Sequence, residues 1–367
     1  LTGVPQPEYS HELAPTDFAA THNGYVQGKP TDYNRDVALD VAQLLAFLQA
    51  TQAKAVDTLE LAADGIKRTQ FLHRLQGEIT KRGVVDVLRK GVSHGPVHVD
   101  LYKLLPTPGN AAAADAFGKN IFSVTRQVRY SNDSGNELDL VVFINGLPVL
   151  TFELKNSLTK QTVADAIVQY QTTRDPKELL FQPGRCIAHM AVDDAEVRFC
   201  TELRGKASWF LPFNQGWNSG AGNPPNPGGL KTDYLWKHVL VKDSLANIIE
   251  NYAQVVEDEE EDASGRRRKT RKPVFPRFHQ LRTVRALLRR SRADGVGQRY
   301  LIQHSAGSGK SNTIAWLAHQ LVELKTAADA MQAQFDSVIV ITDRRALDTQ
   351  IHKTIKSYDH VASILGH

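Results

Sequence analysis

Three charged residues, Asp139, Glu153 and Lys155, stand inside DLVVFINGLPVLTFELK, a stretch otherwise made largely of Val, Leu, Phe and Thr. Carboxylates are hard oxygen ligands suited to Mg2+, and an adjacent ammonium can orient a water or stabilise charge on a phosphate. Two acids and a lysine gathered in one place have the makings of phosphodiester hydrolysis. Spread over a solvated sheet face, the same residues would add little to stability and carry no chemistry. The backbone that holds them separates the two readings.

The two apolar runs are β-branched and aromatic, each of strand length, and they meet at Asn145-Gly146, the strongest short hairpin signal. A two-residue loop pairs Ile144 with Leu147 and sets Asp139 opposite Phe152, with Glu153 on the other face. A register one residue longer pairs Ile144 with Pro148 and sets Asp139 opposite Glu153, with Lys155 on the same face. It also leaves the reverse face apolar: Leu138 with Leu154, Leu140 with Phe152, Val142 with Leu150. Because a one-residue slip moves every side chain to the opposite face, this division favours a longer loop or a bulge near Gly146.

A second constellation lies in RYLIQHSAGSGKSNTIAWLAHQLVEL. Tyr300 to Gln303 reads as a short strand, Gly307, Ser308 and Gly309 as a turn, and Lys310 and Ser311 open a helical pattern, the context that makes a phosphate loop credible. Backbone N–H groups at the helix start would cradle phosphates, Lys310 would reach the outer ones, and the Ser311 hydroxyl would face Mg2+. His304 stands where the full motif has its first Gly. Upstream, PRFHQ precedes a helix, and its Gln280 could read an adenine edge. Downstream, Ser337 to Thr342 reads as the next strand. It ends at Asp343, which is not taken as the Mg2+-organising acid, since that acidic box should lie farther along.

The elements around these motifs mix helices and strands. Val37 to Ala50, Ile66 to Lys81, Thr162 to Arg174 and Leu245 to Val256 read as helices, the third carrying Gln169. Ile121 to Tyr130 and Ile187 to Cys200 read as strands. The fold class is α/β with a mixed sheet. A Gly, Asn and Pro-rich loop runs from Phe210 to Gly229 and reads as an ordered packing loop or a partner surface. EDEEED at 257–262 and RRRKTRK at 266–272 are blocks of like charge, which are usually solvated. They divide the chain into a domain at 1–255, a charged linker at 256–273 and an incomplete second domain at 274–367.

The net charge of +4 over 367 residues hides an asymmetry: residues 263–367 carry 19 Lys and Arg against 7 Asp and Glu, and the residues before them 25 against 33. A basic C-terminal part suits a polyanion such as nucleic acid, although much of the excess sits in the charged linker itself. No apolar run reaches membrane-spanning length, no signal peptide is expected, and the two cysteines, Cys186 and Cys200, suggest neither a disulfide framework nor a zinc site. A reducing cytoplasm is the expected compartment.

Taken in order, RGVVDVLRKG from Arg82, LDLVVFINGLPVLTFELKN from Leu138, DAIVQYQTTRDP from Asp165, FLPFNQGW from Phe210, TDYLW from Thr232, PRFHQ from Pro276 and HSAGSGKS from His304 resemble the N-terminal part of the restriction subunit of a type I restriction-modification enzyme. The resemblance implies a PD-(D/E)XK endonuclease domain followed by the start of a RecA-like, superfamily-two motor lobe. It implies Asp139 and Glu153 as metal-binding acids, Lys155 as the catalytic lysine and Gln169 as the supporting glutamine. Thr173 stands where that glutamine's tyrosine partner is expected, and Tyr170 is out of step. Glu78, Glu12 and Glu8 are candidates for an additional helix-borne acid. RRALDTQI from Arg344 resembles an early DNA-contact segment of helicase cores.

The implied cofactors are ATP and Mg2+, with S-adenosylmethionine on a partner. The implied partners are double-stranded DNA and the methyltransferase and specificity subunits, without a membrane. The missing second lobe and arginine finger suggest a fragment of a larger protein. A repair helicase-nuclease, another restriction class and a non-cleaving ATP-dependent DNA remodeller are the competing expectations. The order nuclease before motor argues against type III restriction subunits.

Overall fold

The computed structural model describes residues 24–218, 220–261, 267–329, 332–343, 351–352 and 354–355. Short strand β1 (Val26–Gln27) leads into a small hairpin, β2 (Tyr33–Asn34) and β3 (Leu39–Asp40), and then into helices α1 (Val41–Thr58), α2 (Ile66–Arg82) and α3 (Val84–Lys90). Helix α1 starts at Val41 rather than Val37 because the Asp40 carboxylate accepts the Gln43 N–H and caps it there. A second hairpin, β4 (Val92–His94) and β5 (Val97–Val99), and helix α4 (Ala111–Gly118) precede the central strands.

Those strands are β6 (Phe122–Arg129), β7 (Glu137–Ile144), β8 (Leu147–Leu154), β9 (Ala188–Val192), β10 (Val197–Cys200) and β11 (Leu211–Pro212). With β1 at its edge they form, among the described residues, a seven-stranded sheet in the order β1-β6-β7-β8-β9-β10-β11. The sheet is mixed: β1 runs parallel to β6 and β8 parallel to β9, and the other neighbours are antiparallel. The parallel β8–β9 pair needs a crossover, and helix α5 (Val163–Thr172) supplies it.

The β7–β8 register uses both of the devices that the sequence set against each other. Ile144 pairs with Leu147 across a two-residue turn, the ladder shifts between Val142 and Phe143, and Val142 then pairs with Leu150 and Leu140 with Phe152. The expected Ile144–Pro148 pair is not formed, because the turn cannot lengthen. Asn145 and Gly146 both have positive φ, 50° and 81°. The buried Asn145 amide is bonded to Ile121 N, Leu101 O and the Asn120 side chain. A Cβ on Gly146 would meet Asp40 O at 2.2 Å. With the turn pinned, the extra residue appears as a bulge at Val149. Leu140, Val142, Leu150 and Phe152 then pack into the larger core with α1, α2 and α3. The expected Leu138–Leu154 pair is not realised there: Leu154 is exposed, and Leu138 joins a second cluster on the opposite face with Val141, Phe143 and Tyr170 of α5.

Beyond β11, the 210–229 loop is tied down by side-chain amides: Asn223 donates to Ala195 O and to Asn214 Oδ1 and accepts the Gln215 N–H. Helix α6 (Lys242–Asn251) ends sooner than the helix expected to Val256, and the charged segment is not an extended linker. Strands β12 (Gln254–Glu261) and β13 (Arg267–Val274) form an antiparallel ribbon whose register sets Glu257 opposite Arg271, Glu259 opposite Lys269 and Glu261 opposite Arg267.

Helices α7 (Phe278–Asp294) and α8 (Lys310–Glu323) follow, and Phe278, Leu281, Val284, Ala315 and Trp316 are buried in the same large core. The strands expected at Tyr300–Gln303 and Ser337–Thr342 are not formed among the described residues. Leu301 and Ile341 lie 96% and 88% exposed, as apolar runs without neighbouring strands must. No described helix is long and apolar enough to cross a membrane.

Candidate active site and phosphate loop

Thr151, Glu153 and Lys155 alternate along β8 and its continuation, so their side chains emerge on one face, and α5 covers that face. Three side chains from α5 and its exit each grip one of them. The Tyr170 hydroxyl lies 2.9 Å from Thr151 Oγ1, which also meets His189 Nδ1 of β9 at 2.8 Å. Gln169 Oε1 accepts from Lys155 Nζ at 2.6 Å. Arg174, just past the helix end, donates from Nε to Glu153 Oε1 at 2.7 Å. Tyr170 is therefore an inward anchor of the helix, whereas Gln169 sits at the lysine.

Beyond the last pair, Leu140–Phe152, Asp139 and Glu153 are the next residues of the two strands, and the Asp139 carboxylate acts on the Glu153 carboxyl. Asp139 Oδ2 accepts the Leu154 N–H at 2.7 Å and so takes the place of a backbone acceptor at the strand end. Glu153 is fully buried. One of its oxygens, Oε1, is held by Arg174, and the other, Oε2, has no hydrogen-bond partner among the described residues. Burial pushes the Glu153 carboxyl up to about 8; the Arg174 guanidinium opposes this, the Asp139 carboxylate adds to it, and Lys155 opposes it. Asp139, Glu153, Lys155 and Gln169 are thus brought together.

A divalent cation fits this donor set. A buried carboxylate oxygen without a donor beside a second carboxylate is what a hard cation resolves. Among the described residues no group of three or more His, Cys, Asp or Glu side chains assembles, so the pair stands without a third acid. Glu78 is engaged in ion pairs with Arg74 and Arg82 on α2, and Glu8 and Glu12 lie outside the described residues.

At the phosphate loop, Gly307 and Gly309 both have positive φ, and Gly309 caps α8 so that Lys310 and Ser311 open the helix. The start of α7 clasps this loop. Arg277 Nη1 donates to Gly307 O, His279 Nε2 lies 3.1 Å from Ser308 O, and Gln280 Nε2 donates to Gly309 O at 2.8 Å. Gln280 Oε1 accepts the Arg277 N–H, so both ends of the amide expected to read adenine are bonded within the chain. Lys310 Nζ donates to Ser305 O at 2.9 Å. Of the segment RRALDTQI, residues 344–350 lie outside the described residues.

Sequence reasoning missed Arg174, Tyr130, Thr151 and His189 around the acids, and Arg277 and His279 as loop supports. Arg174 had one signal: it directly follows Thr173, the position at which the glutamine's partner was expected.

The fold and site define a mixed α/β domain with two acids and a lysine at the end of a central hairpin, followed by a helical segment bearing a phosphate loop. Residues 27–208 match the family model of the type I restriction enzyme R protein N terminus, and residues 279–364 match that of the SWI2/SNF2 ATPase. These matches support a type I restriction enzyme R subunit, with its N-terminal domain at residues 27–208. It is similar to a putative type I restriction enzyme MjaIXP endonuclease subunit of Methanocaldococcus jannaschii, 22% identical over 271 residues that cover 65% of this chain and 23% of that protein. It is also similar to the type I restriction enzyme HindI endonuclease subunit of Haemophilus influenzae, 25% identical over 255 residues, 66% of this chain and 22% of that protein. The chain thus spans less than a quarter of the length of these relatives.

Proposed function

We propose that this chain is the nuclease and phosphate-loop part of a type I restriction subunit: a Mg2+-dependent endonuclease of the PD-(D/E)XK kind, coupled to ATP-driven translocation on double-stranded DNA, that cuts unmodified DNA away from the recognition site. The observation that carries the reading is the assembly at the end of β8, where Asp139, Glu153, Lys155 and Gln169 converge and Glu153 keeps one buried oxygen without a partner. Asp139 and Glu153 would hold Mg2+, which supplies Lewis-acid charge stabilisation at the scissile phosphate.

Lys155, oriented by the Gln169 carbonyl, places an ammonium at the mouth of the acid pair, where it attracts the phosphate and orients the attacking water. Burial of Glu153 keeps bulk water from that oxygen and strengthens the field between the groups. In the second half, the loop N–H groups and Lys310 would bind the phosphates of ATP, Ser311 would hold its Mg2+, and Gln280 acts by fixing Gly309. Methyltransferase and specificity subunits, the former binding S-adenosylmethionine, complete the proposed complex in the cytoplasm.

The test is cleavage of supercoiled plasmid by the full-length protein assembled with its partners, with Mg2+ and ATP. Glu153→Ala and Lys155→Ala should each lower cleavage by at least about 100-fold, the scale of losing a group that acts on the reacting atoms, with ATP hydrolysis retained. Cleavage at the wild-type rate by either variant removes the nuclease assignment and leaves a DNA remodeller.

A further inference from the structure

The proposed site leaves one buried charge unused. Arg174 is 4% exposed, and each part of its guanidinium is committed: Nε to Glu153 Oε1, Nη2 to the same oxygen and to Glu137 O, and Nη1 to the Tyr130 hydroxyl at 3.3 Å. The Tyr130 ring also lies beneath it, 5.5 Å from the guanidinium carbon. A cation held by Tyr130 at β6's exit, the Glu137 carbonyl of β7 and the Glu153 carboxylate of β8 is not a mobile surface partner. It fixes one oxygen of Glu153 in space, and with it the rotation of the carboxylate.

We infer that Arg174 is the positioning residue of the acid pair: by clamping Oε1 it leaves Oε2 as the oxygen that Glu153 contributes, beside Asp139, to a divalent cation. The inference rests on the proposed nuclease reading and deepens it. The geometry distinguishes this role from ordinary core filling. Asp139 is arranged in the same way, with Oδ2 tied to the Leu154 N–H, so each acid has one oxygen held by the protein. Two carboxylates fixed by different donors present a preformed pair. Without the guanidinium, Glu153 is free to turn about its last torsion, and both of its oxygens are buried without a donor. Outer partners of this kind typically change metal affinity by 10- to 100-fold.

Gln169, Tyr170 and Arg174 address Lys155, Thr151 and Glu153 in turn, so the helix and its exit set every functional side chain of β8 from one side.

The test uses the full-length protein and Mn2+ alone as the probe, with bound Mn2+ measured by paramagnetic resonance of the free ion. The binding assigned to this site is the part that Asp139→Asn removes. Arg174→Met, of similar length and without charge or donors, should weaken that binding by roughly 10-fold or more, with the circular dichroism spectrum unchanged. Arg174→Lys, which keeps the charge but not the planar fork, should fall between the two. Wild-type or tighter Mn2+ binding by a folded Arg174→Met overturns the inference and leaves the nuclease reading intact. Should Arg174→Met fail to fold, Arg174→Lys decides, and wild-type affinity there overturns it equally. If the wild-type protein shows no Asp139-dependent Mn2+ binding, the nuclease reading fails and the inference fails with it.

Discussion

His189 is a buried imidazole directly behind the acid-bearing strand, and lowering the pH should strain the fold through it. It pairs in register with Thr151, lies beside the rings of Tyr170 and Phe181, and its ring nitrogen meets the Thr151 hydroxyl. Burial lowers its pKa from the ordinary 6.5 to about 3. The folded state therefore holds it neutral, and the unfolded chain binds a proton below about 6.5. More protons on the unfolded state means that stability rises with pH, so this contribution is present above 6.5 and is lost as the pH falls towards 3. Each unit in that window costs about 1.4 kcal/mol, so the loss is about 2 kcal/mol at pH 5 and about 5 kcal/mol over the whole window.

Glu153, Asp40 and Glu250 are displaced the other way by burial and favour the fold as the pH falls, so the wild-type curve alone is a mixture. The measurement is the difference between wild type and His189→Gln in urea unfolding followed by circular dichroism at pH 7.5, 6.5, 5.5 and 5.0. Groups common to both chains cancel in that difference. The wild-type advantage should shrink by about 2 kcal/mol between pH 7.5 and 5.0. A difference constant to within about 0.5 kcal/mol over that range refutes the argument that burial alone sets the His189 protonation state.

Lys310→Ala in the full-length protein should lower ATP hydrolysis by about 100-fold or more, and DNA cleavage with it, because in the proposed function the ammonium lost is the one that stabilises the transferring phosphoryl group; an unchanged steady-state ATPase rate would remove this loop from the motor. Gly146→Ala should destabilise the chain by about 2 to 4 kcal/mol in urea unfolding, since the residue combines positive φ with a Cβ placed 2.2 Å from Asp40 O and 2.7 Å from Leu44 N. A loss under about 0.5 kcal/mol there would show that the turn is not pinned and that the β7–β8 bulge needs another cause.

Periodicity located α2, β6 and α5 closely, because each has an apolar stripe of the right period and a buried face to satisfy. The acid pair and lysine were legible for a related reason: only one division of the hairpin separates charge from apolar residues. Where the extra residue sits was not legible, since that depends on Asp40, Leu101 and Asn120 pinning the turn from elsewhere in the chain. Arg174 was hidden in the same way, because its partner is 21 residues back on a different element. The runs at 300–303 and 337–342 show the converse. A strand is completed by its neighbours, and β-branched composition alone does not provide them. The charged segment misled because each run was judged by its own sign, whereas residues 257–261 and 267–271 pair in register across the ribbon.

The two proposed sites share their support. Phe278, at the start of the helix whose first turn clasps the phosphate loop, lies with its ring 5.6 Å from Phe213 and 5.1 Å from Tyr234. Arg285, two turns on, reaches Ser244 and Asn247 of α6, and Trp316 of α8 donates to Tyr252 O. These residues close the large core that covers one face of the central sheet. Phe152 is buried in that core, and its chain neighbour Glu153 points to the other face, towards Arg174. Alternate residues of a single strand thus meet the packing that carries the phosphate loop and the clamp that sets the acid pair. Close-packed side chains transmit displacement instead of absorbing it. A shift of α7 on its loop therefore has a packed route to β8, through Phe278 and the core to Phe152, that does not pass through the ribbon at 254–274.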